Sequence, residues 1–247
     1  MRLAILSDVH SNLEALQACL AHAKAQGAEQ FAFVGDLVGY GADPVACLDL
    51  IEDLSRQGGI VVKGNHDEAA LSGLCQTMEL TAREAIYWTR AQLGPRQRAF
   101  LQSLPLMVKN ADACYVHASA DRPERWTYVI GAKEAARSMN AAQAAFTFSG
   151  HVHEPALYYT AQRSRPQVFH PTSGVPVTLS AQRQWLAIVG SAGQPRDGDN
   201  AACYAIMDRR QYTLTYFRLP YDYASAAKKI VAAGLPPQLA LRLAQGR

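Results

Sequence analysis

The first 64 residues alternate apolar runs with amphipathic segments, and this alternation restricts the fold more than any other feature of the chain. Three runs have the length and composition of buried strands: LAIL from Leu3, FAFV from Phe31 and GIVV from Gly59. Between them lie two segments with apolar residues at helical spacing, one ending at Gly27 and one opened by Pro44. Because parallel strands need a crossover connection, this order predicts an α/β fold with a parallel sheet.

The rest of the chain predicts more helices and then a series of short strands. A helical region spans residues of about 68–104, strands follow at LMVKN and ACYVHA, and a helix covers 132–142. From Phe146 onward, short apolar runs separated by turn residues predict a mainly antiparallel second half, followed by two tail helices. We therefore expect one domain over residues 1–247, with a helical insert at about 68–104 and a helical tail at about 222–247.

Composition excludes several classes of protein. The 247 residues are 49% hydrophobic and 18% charged, which allows a sizeable core and excludes an intrinsically disordered chain. Lys and Arg exceed Asp and Glu by only 24 to 21, so bulk charge indicates neither a nucleic-acid nor a membrane partner. No signal-peptide pattern or apolar run of about 18 residues is present, so we expect a soluble, cytoplasmic protein whose five scattered cysteines stay reduced.

Eight side chains able to bind a metal or move a proton come shortly after predicted strands. They are Asp8, His10, Asp36, Asn65, His66, His117, His151 and His153. Five of the seven histidines of the chain belong to this set, which is an unusual distribution for solvated or core histidines. The carboxyl ends of parallel strands meet at one edge of a sheet, where open α/β sheets place their sites. We therefore expect these side chains to form one site.

The chemistry of this set indicates a metal centre. Carboxylate and amide oxygens together with imidazoles suit Mn, Fe or Zn, and the lack of thiolates argues against a structural zinc site. The set contains more side chains than one ion can bind. Seven of them fit two ions about 3.5–4 Å apart that share a carboxylate. Such a pair activates water and clamps a phosphoryl group. Hydrolysis of phosphate esters is the reaction that this arrangement favours.

Each motif alone has a simpler interpretation. A lone GNHD is often a turn after a strand, and a lone H-x-H is a weak metal signal. Only their combination in one chain favours a site. His22 lies within a predicted helix and His170 precedes a proline, so we interpret both as structural or exposed residues.

The ordered motifs resemble those of the calcineurin-like metallophosphoesterases. They are D-x-H at Asp8 to His10, GD at Asp36, GNHD at 64–67, the single His117 and GHVH at 150–153. The later stretch SAGQPRDGD at 191–199 resembles the bacterial predicted-phosphodiesterase branch of that family. The resemblance implies a four-layer αββα sandwich of two mixed sheets flanked by helices. It also implies a phosphoester hydrolase that uses a metal-activated hydroxide.

The same resemblance assigns a role to each residue. The first metal is expected on Asp8, His10 and His153, the second on Asn65, His117 and His151, and Asp36 is expected to bridge both. His66 corresponds to the histidine that protonates the leaving oxygen, a role that suits a group titrating near neutral pH. The expected cofactors are two divalent or trivalent transition-metal ions, with manganese first and iron, zinc or nickel as alternatives.

Two positions depart from the pattern of the protein phosphatases of the family. The phosphatases and the symmetrically cleaving dinucleotide-polyphosphate hydrolases read GD-x-V-D-R-G where this chain reads GDLVGYG. Gly39 thus replaces the Asp that partners the catalytic histidine there, and Tyr40 replaces a phosphate-binding Arg. These departures favour a phosphodiesterase or an asymmetrically cleaving dinucleotide-polyphosphate hydrolase. Asp67 is then a candidate substitute partner for His66.

Candidate substrate-binding residues are Asn12, Tyr40 and Arg196, with Arg122 and Arg125 as further phosphate contacts, because aromatics stack on bases and guanidinium groups pair with phosphate. The expected partner is a small phosphoester or nucleotide substrate. We expect no membrane partner, find no strong signal for nucleic acid, and regard a homo-oligomer as compatible with the sequence. Two alternatives remain: a nuclease of the same chemistry and a non-catalytic scaffold with this fold. The modest net charge argues against the first, and the complete ligand set argues against the second.

Overall fold

The computed structural model describes residues 1–110, 112–161 and 164–247, and the elements of these ranges alternate strands and helices. In chain order they are β1 (Arg2–Leu6), α1 (Leu13–Ala25), β2 (Gln30–Val34), α2 (Pro44–Arg56), β3 (Ile60–Val62), α3 (Asn65–Ser72), α4 (Leu80–Gln92), α5 (Pro95–Ser103), β4 (Met107–Lys109), β5 (Ala113–Val116), a 3₁₀ helix (Pro123–Arg125), α6 (Ala132–Ala142), β6 (Phe146–Ser149), β7 (Ala156–Ala161), β8 (Gln167–Phe169), β9 (Val177–Thr178), β10 (Arg183–Ile188), β11 (Ala202–Asp208), β12 (Thr213–Leu219), α7 (Tyr223–Ala232) and α8 (Pro237–Gln245). None of the helices in the described ranges has the length and apolar character needed to cross a membrane.

The strands form two mixed sheets of six strands each. The first has the order β3-β2-β1-β11-β12-β9, in which β1, β2 and β3 are parallel as the alternating opening predicts. The second has the order β4-β5-β6-β10-β7-β8, in which β5, β6 and β10 run parallel to one another while β4 and β7 flank them antiparallel. The expected antiparallel pairing of the second half therefore holds for β7, β8, β11 and β12 but not for β6 against β10.

The two sheets pack face to face, and helices cover their outer faces. Apolar side chains of both sheets meet in the interior, where the rings of Tyr115 and Phe148 stack with centroids 5.4 Å apart. Helices α1 and α2 cover the outer face of the first sheet through residues such as Leu16 and Leu48, and α6 covers the second through Met139. This is the four-layer αββα sandwich, so the predicted fold class is confirmed.

The tail helices α7 and α8 pack beside α4, close to the carboxyl ends of the parallel strands. Ala82 and Ala85 of α4 share an apolar cluster with Ile230 of α7 and Leu239 of α8. The ammonium group of Lys229 donates to Asp43 Oδ2 at 2.9 Å and lies 2.6 Å from Glu14 Oε1. These contacts fix the tail against the first sheet and its helices. The division of the chain into one domain with a helical tail stays a prediction.

Candidate metal centre

The eight predicted site residues lie in the loops or helix starts that follow five strands. Asp8 follows β1, Asp36 follows β2 and Asn65 begins α3 just after β3, while His117 follows β5 and His151 follows β6. Because β1 to β3 are parallel, and β5 is parallel to β6, each sheet presents these strand ends at one edge. The packing of the two sheets brings both edges together. Topology thus collects side chains that are up to 145 residues apart in sequence, from 8 to 153.

A first group of four buried side chains converges at this edge. The group comprises Asp8, His10, Asp36 and His153, and their donor atoms all lie within 4.8 Å of one another. The Nε2 atoms of His10 and His153 are 3.2 Å apart, and His153 Nε2 is also 3.2 Å from Asp8 Oδ1. His10 Nε2 lies 3.7 Å from Asp36 Oδ2. Two carboxylates and two imidazoles are a donor set that fits one transition-metal ion.

A second group shares Asp36 with the first. Asp36, His117 and His151 form a cluster whose donor atoms lie within the same 4.8 Å limit. His117 Nε2 is 3.3 Å from Asp36 Oδ2, 3.1 Å from His151 Nδ1 and 3.2 Å from Asn65 Oδ1. Asp36 is therefore placed where one carboxylate can serve two ions. All seven predicted ligands lie in these two groups or in contact with them, while their binding of metal stays a prediction.

Hydrogen bonds to the main chain orient three of the imidazoles for metal binding. Each ring nitrogen Nδ1 contacts a backbone carbonyl: His10 with Val38 at 3.1 Å, His117 with Val34 at 2.9 Å and His153 with Gln194 at 2.5 Å. A carbonyl only accepts, so Nδ1 carries the hydrogen in each ring, and in the neutral form that binds a metal Nε2 has a lone pair. The Nε2 lone pairs then face one another and the carboxylates. A cation between them satisfies every one of these groups, so the residues fit a dinuclear metal centre.

The electrostatics of the cluster favour cations as well. Burial opposes ionisation of Asp36, but the charges of His117 and His66 outweigh it and hold its pKa well below the usual range. Burial likewise opposes ionisation of Asp8, and the charge and hydrogen bond of His153 keep its pKa low. Burial lowers the pKa of His151 to about 3, so its imidazole is neutral. Two ionised carboxylates in a buried site need compensating positive charge, which metal ions provide.

The backbone of the site is strained at the candidate ligands. Asp8, His10, Asp36, His151 and His153 have φ angles between 49° and 68°, in the left-handed region that non-glycine residues rarely occupy. Each such residue costs about 1–3 kcal/mol and persists only where the surrounding structure enforces it. The sequence pattern did not indicate this feature. The strain concentrates at the predicted ligands, as is typical of functional sites.

Two motif glycines are required by close approach. A Cβ on Gly64 would lie 2.1 Å from Asp36 Oδ1, and a Cβ on Gly150 would lie 1.7 Å from Ser7 Oγ. Gly64 lies at the start of α3, where its N–H donates to Asp67 Oδ2 at 2.8 Å. The glycines of GNHD and GHVH therefore allow the backbone to pass directly beside the loops that carry Asp8 and Asp36. Reading these motifs as simple turns does not predict this close approach.

His66 lies at the edge of the cluster and contacts the rings of His10 and Tyr40. Its ring centroid is 4.8 Å from that of His10 and 4.5 Å from that of Tyr40, and the side chain is buried. Its Nδ1 has no hydrogen-bond partner in the described part of the chain. A Cβ on Gly39 would lie 2.5 Å from this nitrogen, so a side chain at position 39 would contact the His66 ring directly.

Asp67 does not partner His66. Its Oδ1 accepts hydrogen bonds from the backbone N–H groups of Leu37 at 2.9 Å and Val38 at 3.1 Å, and its Oδ2 accepts from Gly64. Burial, with the nearby charge of Asp36, raises the pKa of Asp67 to about 7. Its carboxyl group instead joins the loop after β2 to the start of α3. The suggested substitution of Asp67 for the missing carboxylate is therefore wrong, because backbone donors occupy its oxygens.

The predicted substrate-binding residues have different surroundings. Tyr40 and Arg196 both line the cleft beside the cluster, and Arg196 Nη2 donates to the Tyr40 hydroxyl at 3.3 Å. Asn12 is buried, caps α1 by accepting from Ala15 N–H at 3.1 Å, and donates to the Gly193 carbonyl at 2.8 Å and to the hydroxyl of Tyr221 at 3.1 Å. These contacts are structural, and they give no support to Asn12 as a substrate contact.

Other residues of this cleft were missed at the sequence level. The cleft has a volume of about 610 Å³ and is also lined by Arg125, Trp126, Tyr128, Glu79 and Arg242, among others. Arg125 was a candidate phosphate contact, whereas the other four belong to no motif. Arg122, the remaining candidate, is 66% exposed and pairs with the neighbouring Asp121 outside this lining. Only the folded chain brings these residues to the same opening.

Comparisons with known proteins agree with this geometry. Residues 1–211 match the calcineurin-like phosphoesterase superfamily domain. An uncharacterized protein of Methanocaldococcus jannaschii is 34% identical over 252 residues, covering 99% of this chain and 98% of the relative. The crystal structure of a metallophosphoesterase from Sphaerobacter thermophilus superposes with a TM-score of 0.87 at 36% identity, covering 100% of this chain and 99% of the other. A hypothetical protein of Pyrococcus horikoshii has the same fold, with a TM-score of 0.79 at 17% identity, covering 100% and 98% of the two chains. The chain belongs to the calcineurin-like phosphoesterase superfamily and is a phosphoesterase hydrolase.

Proposed function

We propose that this hydrolase is a phosphodiesterase or an asymmetrically cleaving dinucleotide-polyphosphate hydrolase, with two transition-metal ions held by the clustered side chains. The observation that carries the proposal is the position of Tyr40. Its ring lies 4.6 Å from the His10 ring and 4.5 Å from the His66 ring, where the related phosphatases carry a guanidinium group. Arg196 supplies one guanidinium beside it. One positive charge next to the reacting phosphoryl group suits the single negative charge of a diester better than a monoester dianion.

The seven clustered side chains would hold the ions, with Asp36 between the two groups. When bound, the two ions supply Lewis-acid polarisation of the phosphoryl group and ionisation of a water molecule at neutral pH. Oxygen and imidazole donors without thiolate suit manganese, which we propose as the native metal. The backbone carbonyls that accept from the histidine Nδ1 atoms keep the ring nitrogens in place.

His66 is proposed to protonate the leaving oxygen. It lies beside His10 without entering either group of clustered ligands, so its ring remains free for proton transfer. Burial lowers the pKa of His66 to about 4. A phosphoryl group bound next to the ring adds negative charge, which favours the protonated form and raises this pKa. The ring can then hold a proton at the position where negative charge develops on the leaving oxygen.

A substrate panel with the metal-reconstituted protein tests the proposal. It contains matched p-nitrophenyl mono- and diesters, diadenosine tetraphosphate, cyclic nucleotides and single-stranded DNA. We expect a higher kcat/KM on the diester than on the monoester. A preference for the monoester would show that the arginines of the cleft supply a full phosphate clamp and would overturn the proposal. Fastest turnover of the DNA would favour the nuclease, and metal-loaded protein without any turnover would favour the scaffold.

A further inference from the structure

The cleft above the clustered ligands has a strongly positive wall. Four arginines line it, namely Arg125, Arg196, Arg242 and Arg247, and Glu79 is the acidic residue of the same lining. A single phosphoryl group at the ligand cluster cannot contact arginines distributed over a cleft of about 610 Å³. This wall suits an anion that continues beyond the reacting phosphorus.

Part of the wall comes from outside the family domain. The match to the superfamily ends at residue 211, whereas α8 spans Pro237–Gln245 and contributes Arg242. Leu239 and Leu243 of α8 pack in the apolar cluster that contains Tyr40 and Ala82. The tail is therefore joined to the same tyrosine that contacts His10 and His66. Its arginine is held by the fold at the cleft.

Among the described residues, one weak ion pair positions Arg242. Its Nη2 lies 3.4 Å from Glu79 Oε2, and the Arg242 side chain is 29% exposed whereas that of Glu79 is 78% exposed. An exposed pair of this kind contributes little to stability. The guanidinium has five N–H donors in a planar fork, so most of them remain available to phosphate oxygens. Glu79 thus restrains Arg242 and at the same time competes with an anion for it.

The same cleft also has an aromatic lining. The ring of Tyr128 stacks on His151 with centroids 3.8 Å apart, yet Tyr128 is 48% exposed. Trp126 lies next to it in the cleft lining, with its ring 6.0 Å from that of His117. Exposed aromatic rings beside a positive groove are the arrangement that stacks nucleic-acid bases. A base would here lie beside the ligand cluster with phosphates facing the arginines.

We propose that α8 and the segment 125–128 form a nucleoside-polyphosphate subsite. Arg242, together with Arg125 and Arg196, binds phosphates beyond the reacting one, and the Tyr128 and Trp126 rings stack on the base. The subsite rests on the proposed function, because it selects among phosphoanhydride and diester substrates for the same ligand cluster. Among these substrates it favours a dinucleotide polyphosphate over a simple diester.

Two substitutions with opposite expected signs test the role of Arg242. In the metal-reconstituted protein, Arg242→Ala should raise the KM for diadenosine tetraphosphate about tenfold, since a charge-assisted hydrogen bond is lost. Glu79→Gln should lower that KM about two- to threefold, because it removes the competing carboxylate. If the pair were only structural, both changes would break it and shift KM in the same direction. Arg137→Ala, an exposed arginine on α6, is the matched control and should change nothing.

Binding measurements separate the phosphate and base contacts. Calorimetric titration with ATP and with inorganic tripolyphosphate gives a readout independent of turnover. Arg242→Ala should weaken both ligands, whereas Tyr128→Leu should weaken ATP and leave tripolyphosphate almost unchanged. Thermal unfolding of each variant shows that it is folded. Equal affinities of wild type and Arg242→Ala for tripolyphosphate would overturn the subsite.

Wild-type kinetics distinguish failure of the subsite from failure of the proposed function. Hydrolysis of bis(p-nitrophenyl) phosphate with no gain in kcat/KM on diadenosine tetraphosphate would overturn the subsite alone. Absence of metal-dependent turnover on both substrates would overturn the proposed function. A gain on diadenosine tetraphosphate that Arg242→Ala abolishes is the result expected when both hold.

Discussion

The ligand cluster and the cleft wall above it differ in how the chain builds them. The cluster comes from strand ends, and apart from Asn65 its candidate ligands are at most 5% exposed. Main-chain carbonyls orient its histidines. The wall comes from a loop, a helix start and the tail, and Arg125 and Glu79 on it are exposed. Under the proposed function, the reaction takes place where the fold is most constrained, and the substrate is selected where substitutions change the fold least. Substitutions in the two regions should differ accordingly.

The largest effect is expected for Asp36, the carboxylate common to both ligand groups. Asp36→Asn keeps the shape but removes the charge shared by two cations, so both ions should be lost together. Activity should then fall by about three orders of magnitude or more, which corresponds to roughly 4 kcal/mol of barrier. Metal analysis and steady-state kinetics of the purified variant check this. Asp53→Asn, on the exposed side of α2, is the control. Two retained equivalents of metal with normal turnover would contradict the shared role.

His66 is expected to separate chemistry from metal binding within the cluster region. His66→Ala should retain its metals, while kcat falls about 10²- to 10⁴-fold on substrates with poor leaving groups. Nitrophenolate needs little protonation, so the loss should be smaller on p-nitrophenyl esters than on nucleoside esters. His22→Ala provides the control, because His22 bonds to the Tyr204 hydroxyl at 2.7 Å away from the site. The same loss with both kinds of leaving group would exclude a general-acid role.

Sequence reasoning predicted the cluster better than the wall for a physical reason. A strand is short and apolar, so the first polar residues after it mark its end, and parallel topology brings such ends together. Asp8 and His117 could therefore be assigned to one site from local patterns. Arg242 reaches the cleft only because α8 packs on α4, a long-range contact that no local pattern encodes. The occupied oxygens of Asp67 and the left-handed backbone of His10 were equally hidden, since both depend on neighbouring loops.

An intermediate effect is expected for Arg196 on the wall. Arg196→Gln should keep both metals and lower kcat/KM about tenfold, because a charge-assisted contact to phosphate is lost. The loss should be larger on a monoester dianion than on a diester. Kinetics on the matched p-nitrophenyl esters measure both. Arg122→Gln is a control from the same set of candidates and should leave turnover unchanged, since its side chain lies outside the cleft lining. Loss of metal from Arg196→Gln would contradict this prediction and show that Arg196 supports the ligand cluster.

The smallest effect is expected where cluster and wall meet, at the hydroxyl of Tyr40. Tyr40→Phe keeps the ring against His10 and His66 and removes only the oxygen that accepts from Arg196 Nη2 at 3.3 Å. Burial raises the pKa of Tyr40, so the hydroxyl is neutral, and at 3.3 Å its hydrogen bond with the guanidinium is long and weak. A bond this long contributes about 0.5 kcal/mol, the low end of the usual range, so kcat/KM should change about two- to threefold.

A double-mutant cycle decides how that hydroxyl acts. If it orients Arg196, Tyr40→Phe should have no further effect in the Arg196→Gln background, because the group it positions is gone. An undiminished effect in that background would mean that the hydroxyl contacts the substrate itself. Tyr40 would then belong to the wall through its oxygen and to the cluster through its ring. The ring should be essential in either case, since Tyr40→Ala removes the contacts with both His10 and His66 and is expected to lower turnover more than Tyr40→Phe.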